Sequence, residues 1–407
     1  MSAISLRKNI IETVFVRGGI LVLNFVIIWL VTRLWHAEAN GIRTLFVANL
    51  GIIAIFCNIF TSSSASYYIK KVGQSRLATQ AYLWVFIMSG TVALALSLRS
   101  EVTNLTLLLF FVSVLMGLVT FYSSLFIGCQ KIPYYNLITF LQPVLLLLFM
   151  WMIYYIFDDK FTYYAYFYAQ VISLLFIFII AKIIIRKTLG NSRFNLHIET
   201  IKDSFHYGWK TELSNLLQFL NYRFSMYVLA FLSGIEAVGI FGLGASIAEA
   251  IWIFSRSISL VQYSNVLQTG DTVNSRKETA KVSYISLLVS VICIAIIAVL
   301  PADIFVWIFK DEVFSEVKTV ILWMSPGILA IAISNVYGNF FSAIGSLKIL
   351  IIKSSAGLLV TIILSLLLIS KLGITGACIV NSSAYIVSSV ILIISFFCTF
   401  DTNKSAN

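Results

Sequence analysis

The chain has 407 residues, of which 60% are hydrophobic and only 11% are charged, and its net charge is +11. A soluble chain carries about a quarter charged residues, so this composition excludes a soluble globular protein and indicates an all-α polytopic membrane protein. The positive balance is explained by Lys and Arg in loops on one side of a bilayer, and it does not indicate a nucleic-acid partner.

The elements predicted along the chain are twelve apolar helices, each long enough to cross about 30 Å of hydrocarbon. They form an N-terminal six-helix half over 1–186, a cytoplasmic linker over 187–208, a C-terminal six-helix half over 209–400 and a cytoplasmic tail over 401–407. The twelve predicted spans are 10–32, 44–62, 80–98, 104–128, 134–157, 163–185, 209–232, 237–263, 282–309, 317–343, 348–370 and 373–400.

The basic residues predict the orientation of these spans. Eighteen of the 28 Lys and Arg residues fall on the side of the amino terminus, seven fall on the opposite side, and three lie within spans. Membrane proteins carry their excess of Lys and Arg in cytoplasmic loops. We therefore expect both termini to lie in the cytoplasm.

A short repeat relates the two halves. The segment after span 1 reads AEANGI at 37–42, and the segment after span 7 reads IEAVGI at 235–240, an offset of 198 residues. Because each half has six spans, the halves have the same orientation and are expected to be related by an axis along the membrane normal. Two six-helix halves around a central cavity are typical of an alternating-access transporter.

Polar and charged side chains occur inside three of the apolar spans, where each charge costs roughly 3 kcal/mol on insertion. Within each span they are mostly seven or eleven positions apart, a spacing that brings them near one face of a helix. Each of these faces must meet another such face or water. The candidate substrate-binding residues are Arg17, Asn24, Glu212, Asn215, Tyr222, Arg223, Glu249, Trp252 and Arg256.

These side chains allow three interpretations. The first is structural: Arg223 with Glu249, or Arg256 with Glu212, forms an ion pair that fixes the packing of helices. The second is an aqueous cavity in which guanidinium groups bind an anion, since arginine stays charged when desolvated and can hold two phosphate oxygens at once. The third gives Glu212 and Glu249 a role in proton coupling, since a carboxylate in low dielectric can titrate near neutral pH.

Motifs of other functions are absent from the sequence. No GxxxxGK[ST] is present, so no ATPase is predicted, and no HExxH or CxxC pair indicates a catalytic or structural metal. The five cysteines lie in apolar runs. We therefore predict no catalytic residue, no metal and no cofactor, and we interpret the chain as a transporter rather than an enzyme.

Longer stretches of the sequence carry a family resemblance. They are LNYRFSMYVLAFLSGIEAVGIFGLGASIAEAIW in spans 7 and 8, RLWHAEANGIRTLFVANL after span 1, SYYIKK after span 2, FSAIGSLKILIIKSSAGL into span 11 and KLGITGACIVNSSAYI into span 12. The chain resembles the Wzx-type O-antigen flippases, the polysaccharide transporters of the multidrug/oligosaccharidyl-lipid/polysaccharide exporter superfamily. That family often has an acidic residue two places after the arginine of helix seven, where this chain has Ser225.

The resemblance implies a function, a location and partners. The substrate would be an undecaprenyl-pyrophosphate-linked oligosaccharide, such as an O-antigen unit of lipopolysaccharide, turned across the bacterial cytoplasmic (inner) membrane. Arg17, Arg223 and Arg256 would contact the pyrophosphate, the polyprenyl tail would stay in the lipid bilayer, and other polysaccharide assembly proteins would be partners. The alternative is a cation-coupled multidrug exporter of the same superfamily, which favours an acidic cavity.

Overall fold

The computed structural model describes residues 3–97, 105–157, 163–191, 195–269 and 272–404, and all regular secondary structure in these ranges is helical. The predicted all-α polytopic fold is confirmed. The helices are α1 (Ala3–Thr61), α2 (Ser63–Val72), α3 (Gln74–Ser97), α4 (Thr106–Gly128), α5 (Ile132–Phe157), α6 (Tyr164–Leu189), α7 (Ile198–Thr269), α8 (Val273–Val299), α9 (Asp303–Phe309), α10 (Glu316–Ala343), α11 (Leu347–Leu364) and α12 (Ser370–Lys404).

Within the described ranges, nine helical stretches are long and apolar enough to cross a membrane, and three of them have 58, 55 and 51 residues. Each of these three contains one residue with a positive φ: His36 (64°), Gly234 (85°) and Gly373 (53°). A right-handed helix cannot continue through such a residue. Each long stretch is therefore two consecutive spans, and the nine stretches account for the twelve predicted spans.

The prediction of span 9 as one helix over 282–309 is wrong. Helix α8 ends at Val299, and residues Asp303–Phe309 form the separate short helix α9. Pro301 is the cause, since its ring disfavours the helical region for the residue before it. Leu300 accordingly has extended geometry, with φ −63° and ψ 135°.

Pro326, in contrast, lies inside α10, and this part of the helix replaces the hydrogen bond that proline removes. The ring leaves the carbonyl group four residues earlier without its amide donor. That carbonyl, on Leu322, accepts a hydrogen bond of 2.7 Å from the Ser325 hydroxyl group. The next carbonyl, on Trp323, accepts one of 3.0 Å from Ser382 of α12. Helix α10 therefore continues through its proline.

The chain forms two compact units. Unit 1 comprises Met1–Trp35 and Leu45–Leu216, and unit 2 comprises His36–Thr44 and Leu217–Asn407. The unit boundary falls within α7, and the domain boundaries predicted at 186 and 208 stay a prediction. In unit 1, α4 packs against α2, α3, α5 and α6, while in unit 2, α10 packs against α8 and α12, and α11 packs against α12.

Candidate functional site

An ion pair joins the two arms of α7 on either side of its break at Gly234. The Arg223 Nη2 atom lies 2.9 Å from the Glu249 Oε1 atom, and the two side chains are 28% and 38% exposed. The pair of Arg223 with Glu249, one of the two ion pairs that the sequence allows, is therefore present. The pair brings two of the predicted site residues together within unit 2.

Three aromatic rings pack beside this ion pair. Tyr222 and Trp252, both predicted, are joined by Tyr385 of α12, and the three ring centroids are 5.5–6.0 Å apart. Trp252 and Tyr385 are buried, whereas Tyr222 is half-buried. The Tyr222 hydroxyl group accepts a hydrogen bond of 3.0 Å from the Gln218 amide group. These tilted and edge-on arrangements are the ones that aromatic rings prefer.

Two further cations belong to the same group of side chains. Arg256 is exposed, and its guanidinium group forms no ion pair with any described residue. It interacts electrostatically with Tyr222 and with Lys353 of α11, which is half-buried. Sequence reasoning missed Lys353 because it resembles an ordinary cytoplasmic lysine. The group thus contains three cations and the single carboxylate of Glu249.

Buried hydrogen bonds fix α7 at the level of these residues. The Thr361 hydroxyl group of α11 donates to the Asn221 side-chain oxygen at 2.8 Å, and the Ser225 hydroxyl group donates to the Asn381 side-chain oxygen of α12 at 2.7 Å. Both bonds are buried, where a satisfied polar pair also specifies the packing. Ser225, where the resembled family often has an acid, therefore anchors α7 to α12.

The predicted residues of unit 1 are less connected. Glu212 is 3% exposed, and its Oε2 atom accepts a hydrogen bond of 3.0 Å from the Asn215 amide group. Arg17 and Asn24 are exposed, and neither forms a hydrogen bond or ion pair with another described side chain. The described part of the chain contains no ion pair of Glu212 or Arg256. A substrate-binding role for all nine residues stays a prediction.

Unit 1 also contains a groove between α1 and α5. Its volume is about 380 Å³, and the Asn136 amide group at its wall lies 3.5 Å from the Glu12 carboxylate. The other lining residues are Val16, Pro133, Tyr134, Leu137 and Phe140. In the described ranges, no three His, Cys, Asp or Glu side chains lie close enough to hold a metal ion.

Comparisons with known proteins give a family and a fold. The family model described as "Polysaccharide biosynthesis protein" matches residues 6–263. No curated protein matches the sequence. An inward-facing multidrug resistance MATE family transporter of the MOP superfamily is 14% identical, with a TM-score of 0.76 over 93% of each chain. The lipid II flippase MurJ, in an inward closed conformation, is 14% identical, with a TM-score of 0.69 over 95% of this chain and 87% of that one.

A third similar structure is a MOP superfamily transporter from Pyrococcus furiosus that is described as having a binding pocket of reverse polarity. It is 13% identical and has a TM-score of 0.60 over 97% of this chain and 96% of that one. At such identities, the three similarities establish the fold alone. The chain has the fold of the MOP superfamily transporters.

Proposed function

The chain belongs to the polysaccharide biosynthesis protein family, and on that premise we propose that it is a flippase for undecaprenyl-pyrophosphate-linked oligosaccharide. It carries the lipid-linked sugar across the bacterial cytoplasmic membrane by alternating access and performs no chemistry on it. Both termini lie in the cytoplasm, and other polysaccharide assembly proteins are its expected partners.

The surplus of positive charge in unit 2 is the observation that supports this proposal. Arg223, Arg256 and Lys353 are linked through Tyr222 and electrostatic interactions into one group that has one acidic member, Glu249. A pyrophosphate diester is the anionic part of the proposed substrate, and charge-assisted hydrogen bonds to guanidinium groups are the strong ones. Since Glu249 already neutralises Arg223, the charge available to a ligand is on Arg256 and Lys353.

The aromatic cluster supports the same assignment. Ligand sites are lined largely by hydrophobic and aromatic side chains, with a few polar groups that fix the orientation of the ligand. Tyr222, Trp252 and Tyr385 supply such a wall next to the cations. A transporter of organic cations would need the opposite charge balance, because cations of the protein and of the ligand would repel each other.

The test is flipping in liposomes that contain purified protein and a short undecaprenyl-pyrophosphate oligosaccharide. We expect wild-type protein to make the inner-leaflet sugar accessible to an impermeant glycosidase, and Arg256→Gln to slow this step roughly 10- to 100-fold. That range corresponds to the loss of one hydrogen bond to a charged group, about 1.5–3 kcal/mol. Lys277→Gln is the matched control, because it removes one positive charge from an exposed position on α8.

Three outcomes have different meanings. If Arg256→Gln flips at the wild-type rate, the function stands and the anion binds elsewhere. If Lys277→Gln flips the lipid as slowly as Arg256→Gln, the slower flipping comes from the lower net charge, and it does not show where the anion binds. If wild-type protein exposes no sugar but drives pH-dependent efflux of a cationic dye, the protein is a multidrug exporter and the proposal is wrong.

A further inference from the structure

Helix α10 packs along the arm of α7 that carries Arg256. The Ser255 hydroxyl group donates a hydrogen bond of 2.6 Å to the Ala332 carbonyl group. Further along the two helices, the Asn339 amide group donates one of 2.8 Å to the Ser259 hydroxyl group. Together these two hydrogen bonds fix the register of α10 against this arm.

Asn335 lies between the two contacts on α10. It is three positions after Ala332 and four before Asn339, so the three residues lie near one face of the helix. Arg256 is likewise placed between the two α7 residues that form these hydrogen bonds. Asn335 and Arg256 therefore lie at the same level of unit 2, on helices that pack together.

The Asn335 side chain has unused hydrogen-bonding capacity. It is half-buried, its polar atoms are accessible, and it forms no hydrogen bond with any described residue. A side-chain amide offers one acceptor oxygen and two N–H donors. Burying such a group costs free energy unless it finds a partner. Asn335 thus presents, next to a cation, a polar group that the described part of the protein leaves open.

Two further amides beside the cations use only their donor ends. Asn339 donates to Ser259, whose hydroxyl group donates at 3.0 Å to the Arg256 carbonyl group. Gln218 donates at 3.0 Å to Tyr222, which interacts electrostatically with Arg256. Both amides are half-buried, and their side-chain oxygens accept no hydrogen bond from a described residue. We call the three side chains the site amides: Gln218, Asn335 and Asn339.

The site amides suit a different part of a ligand from the part that the cations suit. An ionised pyrophosphate accepts hydrogen bonds and has no donor, so it cannot satisfy the amide oxygens. A sugar hydroxyl group both donates and accepts. An apolar ligand would leave the amides without partners, at a cost in free energy. The open amide oxygens therefore indicate a ligand that carries hydroxyl or N–H donors next to its anionic group.

We propose that the site amides bind the sugar that is attached to the pyrophosphate and make unit 2 selective for its hydroxyl groups. The proposal rests on the proposed function, because it assigns the neighbouring cations to the pyrophosphate. Arg256 and Lys353 bind the anion whatever sugar follows it, whereas the amides require hydroxyl groups in matching positions. A site of this kind discriminates against an analogue that lacks one hydroxyl group, because an amide then loses its partner.

The first test measures selectivity. Proteoliposomes contain the full lipid-linked oligosaccharide or one of a set of analogues, each lacking one hydroxyl group of the sugar next to the pyrophosphate. The impermeant glycosidase cleaves an outer sugar, so it detects all of these lipids alike. We expect wild-type protein to flip at least one analogue about tenfold more slowly than the full lipid. Asn335→Leu should flip the full lipid and one such analogue at equal rates.

A control and a second variant complete this test. Asn274→Leu makes the same replacement at an exposed position of α8 in the same unit and should keep the wild-type selectivity. Gln218→Met keeps the length of the side chain, removes its acceptor oxygen and should lose selectivity for one analogue. Thermal stability in detergent is measured on each variant. Lower stability with unchanged selectivity in both Asn335→Leu and Gln218→Met would show that the amides are structural and would overturn the proposal.

The second test separates this proposal from the proposed function. Native mass spectrometry compares the binding of the lipid-linked oligosaccharide with that of undecaprenyl pyrophosphate, which carries no sugar. Wild-type protein should bind the oligosaccharide form about tenfold more tightly, Asn335→Leu should lose most of this difference, and Arg256→Gln should bind both lipids more weakly. Wild-type protein that binds and flips the two lipids equally well would overturn this proposal alone. Wild-type protein that neither binds nor flips either lipid would overturn the proposed function, and this proposal with it.

Discussion

The intramembrane polar residues of the two units have different surroundings, although the sequence presents them alike. In unit 2, Arg223 is paired with Glu249, and Trp252 is packed into a buried aromatic cluster. In unit 1, Arg17 is exposed and Glu212 accepts a hydrogen bond from one neighbouring amide group. Charges in apolar spans are therefore of two kinds. Some, such as Arg223, are already used in the packing, and others, such as Arg17 and the exposed Arg256 of unit 2, are still available to a ligand.

The largest effects on stability and flipping are expected from exchanging the charges of the Arg223–Glu249 pair. Arg223→Glu alone places two carboxylates side by side and should lower thermal stability and abolish flipping. Adding Glu249→Arg restores an ion pair, so stability should recover, because a pair depends mainly on complementarity. Flipping should recover with stability, because the charge available to the substrate is on Arg256 and Lys353, which the exchange leaves in place.

Thermal stability in detergent and flipping in liposomes are measured on the two single variants and the double variant. Recovery of both properties in the double variant would show that the pair is structural only. A stable double variant that still flips at least roughly tenfold below wild type would instead show that Arg223 itself contacts the substrate.

Removing the centre of the aromatic cluster should have the next largest effect, and it acts on stability. Trp252→Ala leaves a cavity between Tyr222 and Tyr385 and should destabilise the protein by roughly 3 kcal/mol, as buried aromatic truncations do. The control is Trp307→Ala, because Trp307 is 80% exposed in the same unit. The measurement is the fraction of monodisperse protein that survives heating. Equal losses in the two variants would mean that the cluster does not hold unit 2 together.

The smallest effect is expected in unit 1. Glu212→Gln preserves the shape of the side chain and its capacity to accept the Asn215 hydrogen bond, so stability should change by less than about 1 kcal/mol. Flipping should stay within about threefold of wild type at both pH 6 and pH 8. A flipping rate more than tenfold below wild type, or one that no longer depends on pH, would instead assign Glu212 to proton coupling. The more essential charge would then lie in unit 1.

Much of the fold could be predicted from the sequence, because apolar runs of membrane length have one structural solution. The number of spans followed directly from these runs. The end of α8 did not, because the apolar run continues through Pro301 whereas the helix ends before it. Of the candidate site, only some of the contacts could be predicted. Spacing along α7 identified Arg223 and Glu249, but their pairing depends on the break at Gly234 and on the rotation of each arm.

Other residues of the group lie too far along the chain for any local pattern to find them. Tyr385 is more than 130 positions from Trp252, and it reaches the cluster because α12 lies against α7, to which the Ser225–Asn381 hydrogen bond also joins it. Lys353 lies near the start of α11, an end that the sequence predicts to be cytoplasmic, and positive charge is common at such ends. Its interaction with Arg256 depends on tertiary packing, which the sequence alone does not reveal.

The assignment of His36–Thr44 to unit 2 has a consequence for biosynthesis, because the Asn40 amide group in this turn donates a hydrogen bond to the Gly239 carbonyl group. The two residues are separated by 199 positions, so at translation rates of about 5–20 residues per second Gly239 leaves the ribosome roughly 10–40 s after Asn40. Throughout that interval, the turn at 36–44 is inserted without the part of the chain that it packs against. The turn at 36–44 therefore reaches its final packing only after the later part of the chain has been made. Membrane insertion of α1 and its final packing are separate events in time.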